Sequence, residues 1–317
     1  MALHPANYFS PLLLLLLLLL FLFSDPNPVL GRPLNNPGPH PAVNFSNPFG
    51  FLHHLVGCHK GENVTGLHQL KQYLHRFGYL HEYSSSSKDD QYFDDLVESA
   101  IMAYQRNYHL NVTGMLDPQT AEQMSKPRCG VPDSIEGTMS GSSKQPHLHT
   151  VAHYSYFGGS PRWADSDTHL TYAFADVGGA NDEFRSAAGR AFGTWASVTR
   201  FTFEEVGDYE SAKIKIGVFR GGHGDGADFD GPGGVLAHAF APTVGLFHLD
   251  GDETWSTNPG PTQFDLESVA LHEIGHLLGL FHSEDKDAVM FSGISPGVRK
   301  TTLNNDDVAG IRALYNL

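Results

Sequence analysis

The stretch His272-Glu273-Ile274-Gly275-His276-Leu277-Leu278-Gly279-Leu280-Phe281-His282 carries residue types and spacing that can hold a metal ion. On a helix, residues four apart share a face, so His272 and His276 aim two imidazoles at one point. Glu273 sits one position round, within reach of a water held there. Gly279 opens backbone conformations closed to other residues, which lets the chain leave the helix and swing His282 back as a third ligand. Three protein ligands with an open fourth position are the layout of a catalytic zinc. Copper, iron and nickel share the preference for imidazole. The bland alternative is a helix with stray surface histidines, in a chain that has 19 of them.

Two further clusters could do metal chemistry. Pro127-Arg128-Cys129-Gly130-Val131-Pro132-Asp133 presents a thiol in a loop stiffened by two prolines, with Arg128 and Asp133 able to pair across it. A thiolate is a strong zinc ligand, and in the fourth position Cys129 would exclude water. The alternative is a Cys58–Cys129 disulfide, plausible in an oxidising compartment. His223, Asp225, His238 and His248 supply three imidazoles and one carboxylate, the four ligands of a closed structural zinc site.

These motifs resemble a known family. The histidine stretch is similar to the metzincin zinc signature, and Ala288-Val289-Met290 resembles the Met-turn that supports the site from below. The stretch from Pro127 to Asp133 matches the cysteine switch of matrix metalloproteinases, which implies that Cys129 binds the catalytic zinc in a latent form. Phe229-Asp230-Gly231-Pro232-Gly233-Gly234-Val235-Leu236-Ala237-His238-Ala239-Phe240 resembles the matrixin structural-zinc and calcium loop. By that resemblance Asp230, Asp250 and Glu253 give carboxylates, and Gly231, Gly233 and Val235 give carbonyls, to at least one calcium ion, which takes six to eight oxygens. Two zinc ions are implied beside it. The pattern departs from the family at Gly251, in the short loop 241–247, and at Ser292 and Ile294 in the wall of the specificity pocket. In the family an aspartate of the last helix receives the new N-terminal amine after activation; Asp306 is the candidate, with plain helix capping as the alternative. No haemopexin-like domain is expected after the catalytic domain, which makes the chain resemble a plant-type matrixin.

Behind the motifs stand the elements that must position them. Leu67, Leu70, Leu74 and Phe77 recur at helical spacing, with Gly78 as the stop. Phe93, Leu96, Val97, Ala100, Ile101 and Tyr104 mark a second helix, and Asp117-Pro118 caps a third. Three short helices resemble a peptidoglycan-binding-like prodomain. Downstream, residues 169–174 alternate like a strand. Residues 181–199 read as a helix burying Phe184, Ala188, Ala191, Phe192 and Trp195. Residues 201–205 and 213–219 read as strands, and the zinc helix follows the sheet. Residues 235–237 are expected as an edge strand that takes a peptide by strand addition, or as a buried strand. The expected fold class is α+β: a matrixin catalytic domain, with a twisted mixed sheet and three helices, behind the small three-helix prodomain.

The expected organisation is a signal peptide at 1–24 (its end as late as 31), a propeptide at 25–149, and a catalytic domain at 150–317. Within the propeptide the helical prodomain covers about 50–133, and a Ser/Gly-rich linker covers 134–149, the kind of place proteases cut. The apolar run at 12–23 is of signal-peptide length and short for a membrane span. Secretion to the extracellular space follows, or to the apoplast or cell wall in a plant, without a stable membrane anchor. A net charge of −15 argues against nucleic acid as partner. Sequons at Asn44, Asn63 and Asn111 are candidate glycan sites. His53, His54 and His59 show no ligand spacing.

The expected function is a secreted zinc endopeptidase, a monomer, made as a zymogen opened by an activating protease. It would hydrolyse extracellular proteins or peptides with water on the open zinc position and Glu273 as general base. One rival is a cell-wall or matrix-binding protein with a purely structural metal. Another is a different metzincin, of astacin or reprolysin type.

Overall fold

A computed structural model describes residues 47–81, 90–133, 152–176 and 180–317. The apolar run at 12–23, Asn44 and the linker 134–149 lie outside the described residues.

The first part is helical. A 3-10 turn, Gly50–Leu55, precedes α1 (Leu67–Arg76), α2 (Asp95–Asn107) and α3 (Pro118–Met124). Asp117 is the cap the sequence predicts, and Asp94 is a second that the structure adds. Asp94 accepts from Val97 N, and Asp117 accepts from Thr120 N with Pro118 at the first helical position, so each side chain satisfies a backbone donor left free at a helix start. Leu67, Leu70, Leu74, Phe77, Phe93, Val97, Ile101 and Tyr104 meet in one apolar core. Leu96 does not join it: at 46% exposure it points to solvent, because position 97, not 96, continues the buried face. The amide of Gln105 is buried. It donates to Thr113 Oγ1 and Thr120 Oγ1 and accepts from Thr113 N and Gly114 N, pinning the turn between α2 and α3.

The second part is a mixed sheet with helices. Its strands are β1 (Arg128–Cys129), β2 (His169–Phe174), β3 (Thr202–Glu205), β4 (Ile214–Phe219), β5 (Val235–Ala239) and β6 (Leu246–Asp250), in the order β1-β5-β6-β4-β2-β3. Only β5 and β6 run antiparallel; every other neighbouring pair is parallel. A short ribbon pairs β7 (Trp255–Ser256) with β8 (Phe264–Asp265). The helices are α4 (Asp182–Ala196), α5 (Leu266–Leu277) and α6 (Asn305–Tyr315). The five expected residues of α4 are all buried, and Trp195 Nε1 on that helix donates to Leu271 O on α5 at 2.8 Å. Every residue of α5 is buried, so the helix that carries the metal motif is the centre of this core.

One sequence expectation changes here, and one element is new. β5 is not an edge strand in this chain, because β1 pairs outside it and all five of its residues are buried. The two-residue β1 itself escaped periodicity analysis, being too short to show any. The fold class stands: α+β, a mixed sheet with three helices that follows a small domain of three short helices.

Candidate active site

α5 presents His272 and His276 on one face, and their Nε2 atoms lie 3.1 Å apart. The helix ends at Leu277, and Gly279 takes φ 103°. A Cβ there would sit 2.5 Å from Pro161 O, so both torsion and space demand glycine. The turn brings His282 back to the pair. One donor atom from each of Cys129, His272, His276 and His282 lies within 4.8 Å of the others, and all four residues are buried. Cys129 Sγ is 3.5 Å from His276 Nε2.

The hydrogen bonds fix which nitrogens are free. Nδ1 of His272 donates to Val289 O at 2.7 Å, that of His276 to Leu280 O at 2.8 Å, and that of His282 to Asp133 Oδ1 at 2.9 Å. Carbonyls and carboxylates only accept, so each Nδ1 carries the proton and each Nε2 presents a lone pair. Burial also lowers all three imidazoles from their ordinary range, His272 to about 3, which keeps them neutral. Three converging lone pairs, one of them on the buried and unpartnered Nε2 of His282, repel one another unless a cation lies between. The 3.1 Å spacing is close to the roughly 3.3 Å between two nitrogens of a tetrahedral zinc. The donor set fits zinc.

Glu273 stands beside this point with both carboxylate oxygens buried and unpartnered. Burial pushes its carboxyl up to about 8. Met290 is buried beneath the helix, and a Cβ at Gly275 would come 2.2 Å from its sulfur, so the bare backbone between the two ligands makes room for the thioether. Asp307 holds that turn from α6, accepting from Val289 N and Met290 N, each at 3.0 Å.

Cys129 arrives on β1, between two walls. Arg128 N donates to Gly234 O and Gly130 N to Ala237 O on the β5 side, and Cys129 N donates to Ser292 O on the other. Arg128 and Asp133 pair at 2.7 Å, with their side chains 3% and 1% exposed. The guanidinium lies 3.7 Å from the Phe77 ring centroid, and Tyr79 and Tyr108 both donate to Asp133 Oδ2. Tyr108 also bonds Ser292 Oγ at 2.7 Å, tying the helical part to the pocket wall. Both cysteines are free, so the Cys58–Cys129 disulfide is not formed. Beside Glu273 a pocket is lined by the apolar Leu236, Val269, Val289 and Ile294, with Ser268 and Lys300 as polar members.

The second cluster also assembles. Asp225 Oδ2 lies 2.9 Å from His223 Nε2, 2.7 Å from His238 Nε2 and 2.7 Å from His248 Nδ1. Three imidazoles around one carboxylate oxygen are a fit for a tetrahedral zinc. The calcium candidates are looser. Their carboxylates do not form a cluster as tight as the two histidine sets, and Asp230 is met by Arg76 at 3.3 Å. Still, Asp250 Oδ2 is buried without a partner, and burial pushes Asp250 up to about 6 and Glu253 up to about 8, with neighbouring acids adding to both. Glu253 Oε1 accepts from Gly233 N at 2.5 Å. Asp306 accepts from His153 N and Ser283 Oγ, whereas capping of α6 falls to Asn304 and Asp307. Asn63 and Asn111 are exposed, as are His53, His54 and His59.

The sequence pointed to these ligands but missed Asp133 as the partner of His282, and Tyr108. A proton acceptor for a ligating histidine is a tertiary relation with no fixed spacing.

Comparison with known proteins agrees with the geometry. The profile of the family described as Matrixin matches residues 162–316, and that of a putative peptidoglycan binding domain matches residues 63–124. The chain is 46% identical over 302 residues to Metalloendoproteinase 5-MMP of Arabidopsis thaliana, covering 91% of this chain and 83% of that protein. It is 44% identical over 287 residues to Metalloendoproteinase 1 of Glycine max, covering 87% and 92%. Stromelysin-1 of Mus musculus is 38% identical over 249 residues, 75% of this chain and 48% of that protein. The chain belongs to the matrixin family of zinc metalloendopeptidases.

Proposed function

We propose that the chain is a secreted zymogen whose peptide-bond hydrolysis is held off by Cys129. The observation that carries this reading is the meeting of Cys129 with His272, His276 and His282 at one buried point. It is supported by β1, which fills the side of β5 where an extended substrate would add as a strand.

In the working enzyme His272, His276 and His282 hold zinc, which supplies Lewis-acid chemistry that polarises the scissile carbonyl and acidifies water. Glu273 is the general base: it takes a proton from the attacking water as the new C–O bond forms, then gives it to the leaving amine as the C–N bond breaks. Met290 supports the ligand helix. His223, Asp225, His238 and His248 hold a second, structural zinc. Asp230, Asp250 and Glu253, with the carbonyls of Gly231, Gly233 and Val235, hold calcium once Arg76 has left with the prodomain.

The proposed boundaries are a signal peptide at 1–24, a propeptide at 25–149 and a catalytic domain at 150–317. Asp306 then receives the new amine near His153. The apolar walls of the pocket support substrates with an apolar residue just after the scissile bond. Extracellular proteins are the proposed substrates, an outside protease the activator, and Asn44, Asn63 and Asn111 the glycan sites. No helix among the described residues is long and apolar enough to cross a membrane.

The test is hydrolysis of a quenched fluorescent peptide by the purified proform, before and after an organomercurial. Activity that appears only after thiol modification, and vanishes with a zinc chelator, is the expected result. Activity from the start would overturn the latch; none in any state, with zinc bound, would overturn the protease reading.

A further inference from the structure

A third cluster of ligand-type side chains lies away from both zinc sets. One donor atom from each of His109, His153 and Glu284 lies within 4.8 Å of the others. From this geometry we propose a third zinc site, which braces the latent chain.

The three donors come from three separate pieces. His109 follows α2 in the prodomain, His153 stands at the start of the catalytic segment, and Glu284 follows the third histidine ligand. Two of them are tied together without a metal: Glu284 N donates to His153 O at 3.1 Å, and His153 N donates to Asp306 Oδ1 at 2.9 Å. The third is fixed from its own side, since His109 N donates to Arg106 O at 3.1 Å. His109 holds a left-handed backbone at φ 53°, where glycine or asparagine is the usual residue. The backbones are therefore set, and only side-chain rotation remains to close the site.

The chemistry selects the ion. Two imidazoles and one carboxylate are zinc ligands, with water completing four-coordination. Calcium is disfavoured, because it takes six to eight oxygens. Ligand atoms of a tetrahedral zinc lie roughly 3.3 Å apart. His109 Nε2 and Glu284 Oε2 are already at 3.9 Å, and His109 and Glu284 are exposed and free to swing. The surrounding groove carries Asp285 with Lys126, Lys286 and Lys300, whose ammonium is held by the carbonyls of Lys286 and Ala288. Lys126 Nζ donates to Gln123 Oε1 at 2.9 Å.

An ion here joins the prodomain to the start of the catalytic segment and to the chain just after His282. Once the linker is cut and His109 departs, the ligand set is broken. Zinc would therefore slow release of the prodomain, a control separate from the Cys129 thiol. That role rests on the zymogen reading, whereas the site itself does not.

The experiment uses the full chain carrying Glu273→Ala, which keeps it intact, equilibrated with zinc at buffered free concentrations. Zinc per chain is measured by mass spectrometry. One more zinc is expected in this parent than in the same chain with His109→Asn or Glu284→Gln; asparagine keeps the left-handed backbone while removing the ligand. Equal zinc in all three chains would overturn the site. In a second measurement an added protease cuts the linker and prodomain release is followed. At ten times the half-saturating zinc, release from the parent should slow about tenfold, and the two variants should not respond. Extra zinc in the parent with unchanged release would overturn the brace while leaving the zymogen reading untouched.

Discussion

His282 Nδ1 donates to Asp133 Oδ1 at 2.9 Å. A metal-motif histidine is thus oriented by a carboxylate from the segment that carries Cys129, the same carboxylate that pairs with Arg128. The proposed latch would therefore grip the site twice, through the Cys129 thiol and through Nδ1 of His282. Removing one partner of a buried ion pair leaves a bare charge and costs about 3–5 kcal/mol. Asp133→Ala should accordingly weaken the closed form and give at least about 100-fold more peptide hydrolysis by the untreated proform. Unchanged latency in the fluorescent assay would show that the thiol alone suffices.

Glu273 has buried oxygens whose one neighbouring group is the Cys129 thiol. Glu273→Ala should lower kcat of the activated enzyme by about 10²–10⁴ with zinc content unchanged. Loss of zinc together with activity would instead place Glu273 in holding the site together.

Gly279 combines φ 103° with a Cβ position 2.5 Å from Pro161 O. Gly279→Ala must strain the turn, shift that carbonyl or move His282. Backbone strain of this kind costs about 1–3 kcal/mol, or roughly 2–12 °C in Tm for a domain of this size. Calorimetry should show the drop, together with weaker zinc retention. A variant with parental Tm and zinc would mean that the turn tolerates a side chain.

Burial pushes the Cys58 thiol up to about 11. Its folded pKa lies above the unfolded value of about 8.5, so its contribution to stability is fully present below that value and is lost as pH rises through 11. The stability difference between the parent and Cys58→Ala should therefore shift against the parent between about pH 8.5 and 11 in urea titrations. A pH-independent difference would refute the shift. The same burial predicts that Cys58 resists alkylation near pH 7.5.

The pocket beside Glu273 is walled by Leu236, Val269, Val289 and Ile294. Replacing leucine by alanine after the scissile bond removes three carbons from that contact, and each methylene is worth about 1–3 kcal/mol in a fitted pocket. A fall in kcat/KM of at least about tenfold is expected from peptide pairs. Equal rates would show that the pocket does not read this side chain.

What the sequence determined by itself was local or strictly spaced. The i, i+4 pair His272 and His276, the glycine stop at Gly279, the cap Asp117 and the buried face of α4 all follow from helical geometry acting over a few residues. The family pattern pointed to the distant ligand candidates, Cys129 and the second histidine set, which the fold brings together. Tertiary structure decided everything that depends on which segments meet. β1 is two residues long and exists only because β5 and the Ser292 wall accept its backbone. Leu96 fell outside the core although apolar, because a helix face is chosen by its partner. Asp133 reached His282, and His109 reached Glu284, across sequence gaps that no periodicity links. Side-chain spacing along a chain fixes what one element can present; only packing fixes what it is presented to.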